Sequence, residues 1–185
     1  MIRTNKTASF NILTNDPSVT AWGYAVVTIH GKILESGCIK TEPDNKKKNL
    51  RKSDDRIRRV SEINKTLLEV IKEHNIGFLL SESPHGSQSA VAALMIGMVA
   101  GMGQTLSDAL GIPMEWYAEG EVKKFILNKR SAIKSEMIEA VQKKLDWRPT
   151  GTRYKDEAVA DALGVYLTAM HESEALQLMR RMTNL

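Results

Sequence analysis

Residues 10–29 read FNILTNDPSVTAWGYAVVTI, an extended run, a short polar break and a second extended run. Phe10, Ile12 and Leu13 lead into Asn15-Asp16-Pro17-Ser18, after which Trp22, Tyr24, Val26 and Val27 resume a β-branched and aromatic pattern. An antiparallel hairpin is expected. Pro17 disfavours helical geometry at Asp16 and has no donor for a ladder, so Asp16 should stand where the first strand ends. That places a carboxylate at the rim of a sheet. Taken alone, an Asp-Pro pair serves the turn itself; two acids further along the chain give it a chemical role.

Working outward, the turn at His30-Gly31 leads to a third strand over residues 32–41, KILESGCIKT. Residues 42–51 are polar and carry Lys46, Lys47 and Lys48, which reads as an exposed loop. From Ser53, taken as the cap, Ile57, Val60, Ile63, Leu67, Leu68, Val70 and Ile71 recur at helical spacing. Arg56, Arg58, Arg59 and Lys65 fall on the opposite face. A short apolar run over residues 76–80 ends in Ser81-Glu82-Ser83-Pro84, repeating the order of the first strand: apolar residues, an acid, then proline. Residues 87–110 form a long Met-rich helix with Gly97 and Gly101 four apart, apolar around much of its circumference and so expected to be buried on two sides, with a second copy of the chain as the functional reading.

Past Gly111 comes a short strand over residues 113–117, a helix over 119–127, and another over 131–145 capped by Ser131. Lys123, Lys124, Lys129, Arg130 and Lys134 crowd this region, a patch suited to backbone phosphates. The last major helix begins at Tyr154 or Lys155. Within it Glu157 and Asp161 lie about 40° apart around the axis, whereas Asp156 is turned about 140° from Asp161.

Length and composition bound the alternatives. At 185 residues and 42% hydrophobic content, residues 1–185 are expected to form one domain with a real core. One cysteine, Cys38, excludes an intrachain disulfide framework and a cysteine metal site, and fits a reducing compartment. The N-terminus lacks the apolar core of a signal peptide, and residues 90–103 are too short and too rich in glycine and alanine for a bilayer span, so a cytoplasmic protein without a membrane partner is expected. The net charge is only +4, so its basicity matters through clustering alone.

Carboxylates from two strand ends and one helix, without a histidine or cysteine cluster, suit a hard divalent cation: magnesium, with manganese able to substitute. Such ions activate water and stabilise a leaving oxygen in phosphodiester cleavage. The motifs that carry these residues also resemble, in order and spacing, the RuvC family of Holliday-junction resolvases. They are ILTNDPSVTAWGYAVV (12–27), SGCIKT (36–41), LLSESPHGSQSA (79–90), YAEGEVKKF (117–125), SAIKSEMI (131–138) and KDEAVADALGV (155–165). The resemblance implies an α/β, ribonuclease-H-like fold with a mixed five-stranded sheet, three strands antiparallel and then two parallel. It further implies a homodimer, magnesium-dependent cleavage of four-way DNA junctions and an acidic quartet. Asp16, Glu82 and Asp161 look like three of that quartet. Lys123 and Lys134 look like residues that contact DNA beside the scissile phosphate, with Lys124 next to them, and His85 stands where bacterial members carry an aromatic wedge.

There are departures from the family pattern. Ala158 replaces the acid or histidine three residues before the last aspartate, so the fourth carboxylate is expected from Glu157, with Asp156 as the alternative serving the helix N-terminus. Thr14 and Asn15 replace a glycine and an apolar residue. Two other readings share these residues: a nuclease of the same fold acting on branched DNA or RNA–DNA hybrids, and a junction-binding protein that does not cut.

Overall fold

The computed structural model describes residues 10–44, 50–129, 131 and 133–183. The lysine run at 46–48 and Arg130 lie outside them. In chain order the elements are β1 (Asn11–Asp16), β2 (Ala21–Thr28), β3 (Ile33–Lys40), α1 (Lys52–Glu73), β4 (Ile76–Ser83), α2 (Ala90–Leu110), β5 (Met114–Ala118), α3 (Glu119–Leu127), α4 (Lys134–Lys144), α5 (Arg153–Glu172) and α6 (Glu174–Met182). The sheet order is β3-β2-β1-β4-β5. β1, β2 and β3 pair antiparallel as expected from the hairpin reading, and β4 joins β1 in parallel with β5 outside it.

Each face of the sheet has its own core, because side chains alternate along a strand. Ile12, Ala25, Val27, Phe78 and Leu80 face α3, α4, α5 and α6. Leu13, Trp22, Tyr24, Val26 and Leu79 face α1 and α2. β1 carries four buried residues in succession and is the central strand. Thr14 and Asn15, the two departures before Asp16, are both buried and bonded. Thr14 Oγ1 donates to Ala162 O of α5 at 2.6 Å. Asn15 Nδ2 donates to Leu80 O of β4 at 3.0 Å, and its Oδ1 accepts from Trp22 Nε1 of β2 at 3.0 Å. Polar residues inside a core hold only where their bonds are met, and these two lock β1 to three neighbours beside the rim.

Several local expectations change. Arg51, not Ser53, precedes the first turn of α1, and its side chain makes no capping bond. Ile57 is exposed while Arg59 is buried: Arg59 donates to Thr41 Oγ1 (2.8 Å), Thr20 Oγ1 (3.1 Å) and Val19 O (3.2 Å), so it faces inward to meet acceptors on the β1–β2 connection and past β3. α2 is capped by Ser89, whose hydroxyl accepts from Ala92 N, and ends at Gly111 in the left-handed conformation (φ 64°). α4 starts after Ile133, not Ser131, with Glu136 accepting from Ile133 N. The C-terminal α6 was not foreseen.

Within a single chain α2 has one of its two apolar sides covered. It buries Met95, Val99, Gly103 and Leu106 on one side only and leaves Val91, Leu94 and Leu110 exposed. At 21 residues it is, by length and composition alone, long and apolar enough to cross a membrane, contrary to the reading of residues 90–103 as too short.

Candidate active site

Asp16 is the last residue of β1, opposite Gly23 of β2. In the parallel register Asn15 pairs with Ser81, so Asp16 and Glu82 stand side by side one step further along. Both alternate in phase with Ile12 and Leu80 and point to the α5 face. This is the carboxyl end of two parallel strands, where sheets of this kind place their ligands. α5 comes down on the same spot. A Cβ at Gly23 would meet Ala158 O at 2.1 Å, so only glycine allows the helix to lie this close. Ala158 is buried in that contact, and Asp161 follows one turn later.

The three acids crowd one another. Burial, and then the charge of Asp161, raise Asp16 from 3.8 to about 7. Burial followed by the charges of Asp16 and Asp161 raises Glu82 to about 9. Asp161 is raised to about 6, again chiefly by burial, with Lys134 and Lys123 opposing. Among the described residues neither the Asp16 nor the Glu82 carboxylate accepts a hydrogen bond or meets a cation within 4.0 Å. Asp161 has only Lys134 Nζ at 3.9 Å. Half-buried carboxylates without partners are costly, and an oxygen-only donor set of this kind is what a hard divalent cation would satisfy.

The two acids weighed for fourth place have different surroundings. Asp156 is buried and accepts from Thr150 N (2.7 Å), Thr150 Oγ1 (2.9 Å) and Gly151 N (2.9 Å), bracing the loop before α5. Glu157 lies on the Asp161 side, paired with Arg153 Nε at 2.8 Å and Lys134 Nζ at 3.3 Å. The bond from Arg153 holds its carboxyl below the ordinary range.

Two lysines border the acids. Burial opposes the charge on Lys134, but Asp161 and Glu157 outweigh it and raise its pKa. Lys123 of α3 pairs with Glu119, and its charge lowers both Glu82 and Asp161. Lys124 points elsewhere, into an open cleft of about 780 Å³ that it lines with His85, Phe125 and Asn128. Lys129 is drawn to Glu136 at 2.5 Å, so the basic cluster is partly neutralised from within.

Glu119 was missed. It directly follows β5, pairs through one oxygen with Lys123 and through the other with His85, and its charge raises Asp16, Glu82 and Asp161. The signal was available in YAEGE, a third apolar strand ending in an acid.

A second acidic group lies on the other face. The ligand atoms of Glu35, Glu73 and His74 all fall within 4.8 Å of one another, at the far end of α1. Here Glu35 already accepts from Tyr24 Oη at 2.6 Å and is bonded to His74 Nε2 at 2.6 Å.

The family model described as crossover junction endodeoxyribonuclease RuvC matches residues 12–169. The chain is 28% identical to the crossover junction endodeoxyribonuclease RuvC of Shewanella woodyi over 170 residues, covering 89% of each. It is also 28% identical to that of Methylococcus capsulatus, covering 92% of this chain and 96% of the relative. Among solved structures, T. thermophilus RuvC in complex with a Holliday junction substrate superposes with a TM-score of 0.69 at 22% identity, covering 94% of this chain and 97% of that one. The yeast mitochondrial Holliday junction resolvase Ydc2 does so with a TM-score of 0.58 at 14% identity, covering 95% and 86%. The fold is therefore the ribonuclease-H-like one of these resolvases.

Proposed function

The chain belongs to the RuvC family of crossover junction endodeoxyribonucleases, and on that premise we propose that it resolves four-way DNA junctions by paired phosphodiester hydrolysis at the Asp16–Glu82–Asp161 centre. The observation that carries the assignment is the convergence of three half-buried acids, two of them without partners among the described residues, beside Lys134. Asp16, Glu82 and Asp161, with Glu157 as the fourth carboxylate, would hold magnesium, for which manganese substitutes. The ions supply activation of water and stabilisation of the leaving oxygen. The chain's own residues do the rest. Thr14 and Asn15 hold the first acid in place from either side of β1. Lys134 and Lys123 present ammonium groups to the phosphate, Lys124 extends the basic surface, and His85, exposed in the loop after β4, faces the junction centre. Asp156 shapes the loop that leads into the helix.

Two opposed nicks require two centres, which a two-fold dimer supplies. α2 is the face for it: Val91 and Leu94 are exposed, and a Cβ at Gly97 or Gly101 would meet nothing within 4 Å. Residues 1–185 then act as one nuclease domain per subunit, working in the cytoplasm where the DNA is.

The test is incubation of the protein with labelled four-way junction, linear duplex and RNA–DNA hybrid, with and without magnesium. Symmetrical magnesium-dependent nicks in the junction are the expected result. Preferential cutting of the hybrid would move the substrate to another class, and binding without cutting in any divalent ion would make the chain a junction-binding protein. Sedimentation of the junction complex should give two chains per junction.

A further inference from the structure

The acid centre has a second flank, opposite His85, that none of these roles uses. Tyr154 is in the first turn of α5 and is exposed. It lies seven residues before Asp161, which at 100° per residue puts the two about 20° apart on one helix face, with Glu157 between them. At 1.5 Å rise per residue the ring is displaced by about 10 Å along the axis from Asp161, or roughly three base steps of a DNA strand. Ile133, the residue before Lys134 at the start of α4, is 66% exposed. Neither side chain belongs to either core, so core packing does not explain their exposure.

The cations on this flank are each also paired with a carboxylate, Lys40 with Glu42 at 2.7 Å. Lys40 Nζ sits 5.4 Å from the centroid of the Tyr154 ring. The Arg153 side chain is 90% exposed and that of Lys134 58% exposed, both held toward Glu157. Rings on a single-strand track stack bases while neighbouring cations follow the phosphates. We propose that Tyr154 is a stacking platform for an unpaired base of the scissile strand, within about three nucleotides of the cut. This rests on the junction-nuclease reading and adds to it a base-contacting residue on the α4–α5 side. The platform carries no hydrogen-bond pattern for one base, so it positions the strand more than it selects a sequence.

The test uses the full-length protein bound to four-way junctions in EDTA, so that no strand is cut, with 5-iodouracil placed singly at one to six nucleotides from the nick. Irradiation should crosslink Tyr154, identified by mass spectrometry, from a position within three nucleotides of the nick. Tyr154→Leu should weaken junction binding about five- to a hundredfold with an unchanged salt slope, whereas Tyr154→Phe binds as the parent does. Crosslinks confined to other residues, or Tyr154→Leu binding at parental strength, overturn the platform while leaving junction cutting intact. A parent protein that does not prefer junctions over duplex sinks the platform and the proposed function together.

Discussion

Two groups of acids lie on opposite faces of one sheet, and the one with the closer spacing is not the one at the parallel strand ends. On the α1 face, Glu35, Glu73 and His74 bring their ligand atoms within 4.8 Å. Glu35 is satisfied there: the bond from Tyr24 and then that to His74 hold its carboxyl below the ordinary value despite partial burial. On the α5 face, Asp16, Glu82 and Asp161 are pushed the other way, because burial and mutual repulsion act on groups with few partners. What marks a cation centre is a group of partly desolvated carboxylates with few partners. Proximity alone also describes a hydrogen-bonded network.

The largest expected difference between the two faces is in cleavage. Losing a residue that merely supports a metal ligand typically costs about 10–100-fold, so removing a ligand itself by Asp16→Asn, Glu82→Gln or Asp161→Asn should lower the junction-cutting rate by more than about a hundredfold. Junction affinity, measured by gel shift in EDTA, should hold. Glu35→Gln should cut at close to the parental rate; a loss comparable to that of Asp16→Asn would erase the distinction.

Within the α5 face the two adjacent acids should separate stability from chemistry. Asp156→Asn leaves donors from Thr150 and Gly151 without their charged acceptor, for an expected loss of about 1–3 kcal/mol. At this chain length that lowers Tm by roughly 2–4 °C per kcal/mol. Glu157→Gln should leave Tm near parental and reduce cleavage over a magnesium titration. The reverse outcome, inactive Asp156→Asn beside fully active Glu157→Gln, would exchange their roles.

The faces should also respond oppositely to pH in metal-free protein. A carboxyl raised in the folded state contributes stability that is fully present below its ordinary value near 4 and is lost as pH rises through the folded values of about 6 to 9. A lowered carboxyl such as Glu35 contributes stability above its ordinary value that is lost as pH falls. Thermal scans should therefore show Glu82→Gln flattening the decline on the alkaline side and Glu35→Gln flattening it on the acid side. Magnesium should raise Tm more at pH 8 than at pH 5, and less so in Glu82→Gln. An equal gain at both pH values would contradict the unpaired-charge description.

The smallest effect belongs to the lysines. Lys123→Ala and Lys134→Ala should each reduce the salt dependence of junction binding by about one unit of slope. An unchanged slope in both variants would mean that Glu119 and Glu157 hold these ammonium groups away from DNA.

Much of this was legible in the chain before folding. The alternation in residues 10–29, the acid before proline at two strand ends and the spacing of Glu157 and Asp161 are local patterns, and they brought out the first hairpin and the acids at strand ends, while the mixed sheet followed from the family resemblance. Local patterns failed where partners are remote. Arg59 fits the polar side of α1 by periodicity, yet it is buried because Thr20 and Thr41 supply acceptors from distant segments. Glu119 stands after β5 as Glu82 does near the end of β4, but only the β4–β5 register brings it to the same centre.

By itself the sequence determined most of the elements up to α5, their order and the oxygen-only donor set, since periodicity, turn residues and donor type are properties of neighbours along the chain. Tertiary structure decided which acids are left without partners, that Ala158 fills the gap over Gly23 where an acid was missing, and that Tyr154 stays in water beside the centre. Those outcomes depend on desolvation and on donors brought from other elements, and no stretch of chain carries either until the sheet and α5 have closed on one another.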